Sequence, residues 1–341
     1  MKMQNFPTLR LILLLNVPQC WSIFTTTVGD TCTADWQYRG SLGEDKWSIL
    51  CPQCKSNMQS PIDIKVSSLL YAPNLDLLSM EDYDTMRDVQ VTNMGRSVFL
   101  DLRSAGEYWL SRGNLPGKYL ADQMHFHWGS DSSRGSDHRV DGRQFPLEMH
   151  IVYDLMDQVK DREMIAAVSV LFEVSSEDNA DLQPLIQALS LIKTQGQETT
   201  LSYFMLSKFL PRNLKRFYRY YGSLTTPPCL ETVVWTVFKE TVKVSERQLS
   251  VFRSLTYRDN DSGQNRQLAN NFRKIQSLNG RIVYSTEDRS GVTAGAFAAI
   301  GLTVVILVIG LGAFFAFAWP KYKAKKMRAE DKQPIVETSI Q

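Results

Sequence analysis

Histidine is scarce in this chain. Only four occur in 341 residues, His125, His127, His138 and His150, and all lie in one stretch. A charge bias is also lacking: 38 basic against 36 acidic side chains leave a net charge of +2, so nothing directs the protein to nucleic acid. No internal repeat is visible. Cysteine is sparse, at five, and Cys51-Pro52-Gln53-Cys54 has no second close pair with which to build a structural zinc site. Charge is missing altogether from Val292 to Trp319, and acid is missing from Met1 to Arg10.

The last two absences set the compartment. Lys2 and Arg10 precede the short apolar run Leu11-Ile12-Leu13-Leu14-Leu15-Asn16-Val17, which is too brief to span a bilayer. This reads as a secretory signal over residues 1–25, with cleavage between Cys20 and Gly29; terminal position and charge weigh against a core element. The uncharged run 292–319 is long enough to cross a membrane as a helix. Lys321, Lys323, Lys325, Lys326 and Arg328 follow it and place the tail, 320–341, in the cytosol. The tail also argues against a lipid anchor, whose signal ends with its apolar segment. The expectation is a single-pass type I protein of the plasma membrane. Its bulk, residues 30–289, lies outside as one domain. Gly291, Gly295 and Ala299 are spaced by four and would allow a homodimer through the span, although small residues are common in membrane helices.

If Cys20 leaves with the signal, Cys32, Cys51, Cys54 and Cys229 remain in an oxidising compartment. Two disulfides follow, with three pairings open from spacing alone. Asn260-Asp261-Ser262 is the one plausible glycosylation sequon of the ectodomain.

Within the domain, short alternating runs dominate: Val89 to Val91, Ser97 to Leu102, Met124 to Trp128, Leu147 to Tyr153, Ala166 to Val174 and Thr232 to Phe238. Leu182, Leu185, Ile186 and Leu189 recur at helical spacing in a segment closed by Gly196. Ser245-Glu246-Arg247-Gln248 reads as a capping box opening a second helix. The pattern predicts a sheet-dominated α+β fold, a large and mostly antiparallel sheet with peripheral helices.

The histidines sit within this pattern. A strand repeats every two residues, so His125 and His127 share one face. Leu147 to Tyr153 alternates too, with Glu148, His150 and Val152 on one side. A Gly-, Ser- and Asp-rich loop between the two runs lets them pair antiparallel and brings His150 beside His125 and His127. Three imidazoles with one open position make a catalytic rather than a structural zinc. Gln123 and Glu148, each two residues before a histidine, supply acceptors for the outer ring nitrogens. The hydroxyl-bearing loop Ser223-Leu224-Thr225-Thr226-Pro227-Pro228 precedes the strand Thr232 to Phe238.

Taken together, Gln123-Met124-His125-Phe126-His127-Trp128-Gly129-Ser130, Glu148-Met149-His150 and Ser223 to Pro228 resemble the α-carbonic anhydrases. Gln59-Ser60-Pro61-Ile62-Asp63-Ile64 matches the family's early segment and Asn271-Phe272-Arg273 its late one. The resemblance runs from about Asp35 to Tyr284 and, with the signal and the span, is to the extracellular membrane-bound branch. It implies about ten strands in a twisted sheet, Zn2+ at the base of a conical cleft, and reversible hydration of carbon dioxide to bicarbonate by zinc-bound hydroxide. Lowering of the pKa of water by zinc has this family as its standard example.

By resemblance, His125, His127 and His150 are the metal ligands, and Gln123 and Glu148 support them. Thr225 orients the hydroxide and Thr226 neighbours bicarbonate. Val152, Leu224, Trp235 and Ala167 form the apolar wall for carbon dioxide, and His138 is structural. Cys54 pairs with Cys229, which leaves Cys32 with Cys51. Two positions depart from the family pattern. Arg96 falls where the proton-relay histidine belongs, and arginine does not release its proton, so turnover is expected to depend on external buffer. Asp137 replaces the glutamate that receives the Thr225 hydroxyl proton and is one methylene shorter. These departures keep a second reading in view, a cell-surface binding or adhesion ectodomain of the same fold with weak or no activity.

Overall fold

The computed structural model describes residues 32, 35–156, 164–288 and 319–323. The signal segment 1–25, the span 292–318 and the tail beyond Lys323 lie outside the described residues, as do Gly291, Gly295 and Ala299. Among the described residues no helix is long and apolar enough to cross a membrane.

One 13-stranded sheet organises the domain. Its main path runs Glu198–Phe204, Arg87–Asn93, Val98–Asp101, Tyr119–Trp128, Leu147–Leu155, Ile165–Ser175, Val233–Phe238, Phe217–Gly222, Tyr284–Ser285 and Leu70–Tyr71. Most neighbours pair antiparallel. The exceptions are Ile165–Ser175 with Val233–Phe238 and with Val242–Ser245, and Tyr284–Ser285 with Leu70–Tyr71, so the sheet is mixed. Neither edge offers a long flat template for further pairing. One edge strand is only two residues, and the other is bulged between Leu201 and Phe204, where Tyr203 takes φ 58°.

The central strands are buried on both faces. In Ile165–Ser175, Ala166, Val168, Val170 and Phe172 join the larger core, while Ile165, Ala167 and Leu171 join a second cluster with Tyr220 and Trp235. Behind the histidines, Met124, Phe126 and Trp128 meet Leu147, Met149, Ile151 and Tyr153, all fully buried. Each such side chain contributes about 1.5–3 kcal/mol of apolar burial. A one-residue slip would place the histidines in that core, so the hydrophobic set fixes their register.

Among the described residues the helices are short and peripheral. Glu246–Arg253 opens on Ser245, whose hydroxyl accepts from the Gln248 amide while the Gln248 side chain accepts from the Ser245 amide. The apolar segment near Leu185 forms Gln183–Leu189 after a 3-10 turn at Ala180–Leu182. It ends at Ser190; Gly196, at φ 84°, instead serves the turn that enters Glu198–Phe204. Two four-residue helices, Trp47–Leu50 and Leu102–Ala105, had no periodic signal in the sequence.

Candidate active site

His125 and His127 project from Tyr119–Trp128, and His150 projects from the neighbouring strand Leu147–Leu155, directly opposite His125 in the antiparallel register. The ring centroids lie 4.9, 5.2 and 4.5 Å apart, and one nitrogen of each ring comes within 4.8 Å of the other two.

Hydrogen bonds to the outer nitrogens assign the tautomers. The Gln123 side-chain oxygen accepts from His125 Nδ1 at 2.8 Å. The Asn271 backbone carbonyl accepts from His127 Nδ1 at 2.7 Å, and Glu148 Oε1 accepts from His150 Nε2 at 2.6 Å. Carbonyl and carboxylate oxygens only accept, so each outer nitrogen carries the proton and each inner one presents a lone pair. His127 Nε2 and His150 Nδ1 then face each other at 3.0 Å. Two lone pairs at that distance repel unless a cation lies between them. Tetrahedral zinc with bonds of about 2.0–2.1 Å places its ligand atoms about 3.3 Å apart, so this donor set fits the metal.

Electrostatics favour neutral rings. Burial, followed by the neighbouring His127 and His150, holds His125 well below its ordinary pKa. Burial also lowers His150, against the pull of Glu148. Burial opposes ionisation of Glu148, but electrostatic attraction to His138 and His150 and the hydrogen bonds their ring N–H groups donate outweigh it and hold the carboxyl well below its usual range. That carboxylate accepts from His138 Nδ1 and the His138 amide, from His150 Nε2 and from Ser169 Oγ. His138 stands behind the cluster, with its Nε2 2.7 Å from the Tyr220 hydroxyl.

Above the histidines lies a cleft. Val152, Ala167, Leu224 and Trp235 line one side, with Thr225 and Thr226 beside them; Gln123 and Arg96 also line it. The threonine loop is held from several directions. Cys229 is disulfide-bonded to Cys54, the Leu224 amide donates to the Leu230 carbonyl, and Trp235 Nε1 donates to the Ser223 carbonyl. The second disulfide joins Cys32 and Cys51. Asn260 stands apart from the cleft, exposed in the turn between Thr256–Arg258 and Asn265–Gln267.

Asp137 is buried beside the histidine cluster. Its Oδ1 accepts from the Arg273 amide at 2.7 Å. Its Oδ2 is fully buried with no hydrogen-bond partner and lies 3.6 Å from His127 Nε2. Among the described residues no hydrogen bond joins it to Thr225.

Several contributors carried no signal in the sequence. The Asn271 acceptor is a backbone carbonyl, and backbone atoms leave no residue-type trace. Phe99 stacks on His125 with centroids 5.2 Å apart at 14°, a contact set by the cross-strand register. Trp36 and Tyr38 reach the cleft wall from the loop-rich N-terminal region. Ser169 meets Glu148 because it pairs opposite His150.

The model of the eukaryotic-type carbonic anhydrase family matches residues 42–287. The chain belongs to the carbonic anhydrase family. Carbonic anhydrase 12 of Homo sapiens is 34% identical over 287 residues, covering 81% of this chain and 80% of that protein. Carbonic anhydrase 4 of Rattus norvegicus is 36% identical over 250 residues, 71% of this chain and 79% of that protein. Receptor-type tyrosine-protein phosphatase zeta of Rattus norvegicus is 36% identical over 264 residues, 74% of this chain but 11% of that protein. Carbonic anhydrases are zinc enzymes that hydrate carbon dioxide, and the family's metal chemistry agrees with the histidine cluster of this carbonic anhydrase.

Proposed function

We propose that this carbonic anhydrase hydrates carbon dioxide reversibly at the cell surface, with zinc held by His125, His127 and His150. The observation that carries the reading is the set of three converging lone pairs, each fixed by an acceptor on the far nitrogen of its ring. Zinc, when bound, supplies a nucleophilic hydroxide near neutral pH, an effect for which carbonic anhydrase is the standard example.

The remaining work falls to the chain. Gln123, Glu148 and the Asn271 carbonyl keep the rings in one tautomer, so no proton competes for the inner nitrogens. Val152, Ala167, Leu224 and Trp235 offer an apolar wall to a substrate that has no charge to clamp. Thr225 and Thr226 present hydroxyls beside that wall and orient the polar reactant and product. Arg96 lines the cleft at the relay position and keeps its proton, so the liberated proton leaves by way of buffer. The basic and apolar N-terminal stretch, two disulfides and the apolar run 292–319 support an extracellular catalytic domain on a single-pass anchor.

Asp137 favours a second reading. A buried carboxylate oxygen with no hydrogen-bond partner, 3.6 Å from His127 Nε2, is consistent with weak turnover and with a surface-binding role. Carbon dioxide hydration by the purified ectodomain, with and without zinc removal and across buffer concentrations, separates the two. Zinc-dependent turnover that rises with buffer supports the enzyme; tightly bound zinc without turnover supports the binding module.

A further inference from the structure

We propose that the cleft mouth carries an anion subsite centred on the Arg96 guanidinium, and that dibasic phosphate docks there as the proton acceptor of the reaction. The inference rests on the hydration reading above and deepens it.

Arg96 is the one residue with a permanent charge among the described residues lining the cleft. Its guanidinium carbon stacks 4.4 Å over the Trp36 ring. Stacking occupies a face of the guanidinium plane and leaves its edge, where the N–H groups point, available to a partner. No hydrogen bond from these groups to protein is present among the described residues. The one acidic neighbour, Asp35 Oδ1, is 3.8 Å away, beyond hydrogen-bond reach, on a side chain 80% exposed. The Arg96 side chain itself is one-third exposed, at 33%, so its charge is partly desolvated yet reachable from solvent.

Its placement is coupled to the metal cluster. Asn271 Nδ2 donates to the Arg96 carbonyl at 2.9 Å, and the Asn271 carbonyl holds His127. Burial draws the Arg96 pKa below its ordinary value, and an anion alongside offsets that penalty.

A planar fork of N–H groups matches two oxygens of a phosphate bidentately. The proton balance is simple. Carbon dioxide and water give bicarbonate and a proton, and dibasic phosphate takes that proton to become the monobasic form. The bound anion thereby loses one negative charge and its hold on Arg96 weakens, so proton capture promotes release. An uncharged base such as imidazole gains nothing from Arg96 and is repelled once protonated.

The test uses the full-length, zinc-loaded protein in a phosphate-free detergent. Turnover is followed by stopped flow against phosphate and against imidazole, at one pH and constant ionic strength. Phosphate is expected to half-saturate at a several-fold lower concentration than imidazole. Arg96→Gln should erase the difference by raising the phosphate value alone, and Asp35→Asn, which removes the competing carboxylate, should lower it. Phosphorus-31 line broadening of phosphate should be present in the wild type and reduced in Arg96→Gln, whether or not the protein turns over. Equal half-saturation by the two buffers, or broadening unaffected by Arg96→Gln, overturns the subsite. Absence of hydration in every buffer, with the broadening intact and sensitive to Arg96, sinks the catalytic reading and the acceptor role while leaving the anion-binding result distinguishable.

Discussion

Lengthening Asp137 to glutamate should accelerate this enzyme, by an amount set by the hydrogen bond the longer carboxylate would accept. The carboxylate is anchored through Oδ1 on the Arg273 amide at 2.7 Å, which leaves Oδ2 buried and unpartnered. Thr225, 5% exposed, lines the cleft without a hydrogen bond to that carboxylate. One added methylene extends the reach by about 1.5 Å. A Thr225 hydroxyl that donates to a carboxylate turns its lone pairs toward the cleft, where the reactants sit. A hydrogen bond to a charged group contributes about 1.5–3 kcal/mol, and about 1.36 kcal/mol is tenfold in rate. If half of the lower figure or more is expressed in the transition state, Asp137→Glu raises kcat/KM by roughly three- to tenfold or more. Stopped-flow hydration at saturating buffer measures it, since proton removal is then not limiting. A double-mutant cycle adds a second readout: Thr225→Ala should cost more in the glutamate background than in the wild type. An unchanged or lower kcat/KM, with zinc content and thermal midpoint intact, refutes the argument and means that the aspartate is already well placed.

Three further outcomes can be measured. Glu148→Gln removes the charge that accepts from His138, His150 and Ser169, and metal affinity should fall by about 10–100-fold in a competitive chelator titration; unchanged affinity would deny Glu148 its supporting role. Asp122 is raised by burial, and then by Asp154, from its ordinary 3.8 to about 6, so its ionisation destabilises the fold as pH rises from about 4 to above 6. Asp122→Asn should therefore stabilise the protein above pH 6, by about 1 kcal/mol after discounting for its partial exposure, and give no gain below pH 4; denaturation midpoints at both pH values check the sign. Removing the Cys54–Cys229 disulfide, which closes a separation of 175 residues, should lose roughly 5 kcal/mol, against roughly 3 kcal/mol for Cys32–Cys51, which closes 19. Only the first pair should also slow turnover, because Cys229 terminates the Thr225 loop; the reverse order in denaturant titrations would contradict this.

The parts of the fold legible in the sequence were those whose signal is local. His125 and His127 share a face because strands alternate, and the Ser245 capping box is complete within four residues. Tyr119 to Ala121, the start of the first histidine strand, gives no alternating signal. These residues are buried without alternation, and the register shifts between Ala121 and Gln123, which breaks the period of two. Phe217–Gly222 does not read as a buried strand because it carries Arg219, a charged residue in a fully buried position. Its guanidinium donates to the Gly113 carbonyl and to Thr236 Oγ1, partners that only the folded chain brings together. At the cleft, the side-chain acceptors Gln123 and Glu148 could be placed by spacing, whereas the Asn271 carbonyl could not. The distance between Asp137 and Thr225 depends on the path of a loop and is likewise absent from residue types.

The measurement that bears most directly on the account is stopped-flow hydration of carbon dioxide by the zinc-loaded protein, the same protein after chelation, and the chelated protein after zinc return. The account predicts buffer-dependent turnover that disappears with the metal, recovers with it, and is abolished by His150→Ala. Turnover that survives complete removal of zinc, or a protein that binds zinc tightly yet does not exceed the uncatalysed rate in saturating buffer, would contradict it.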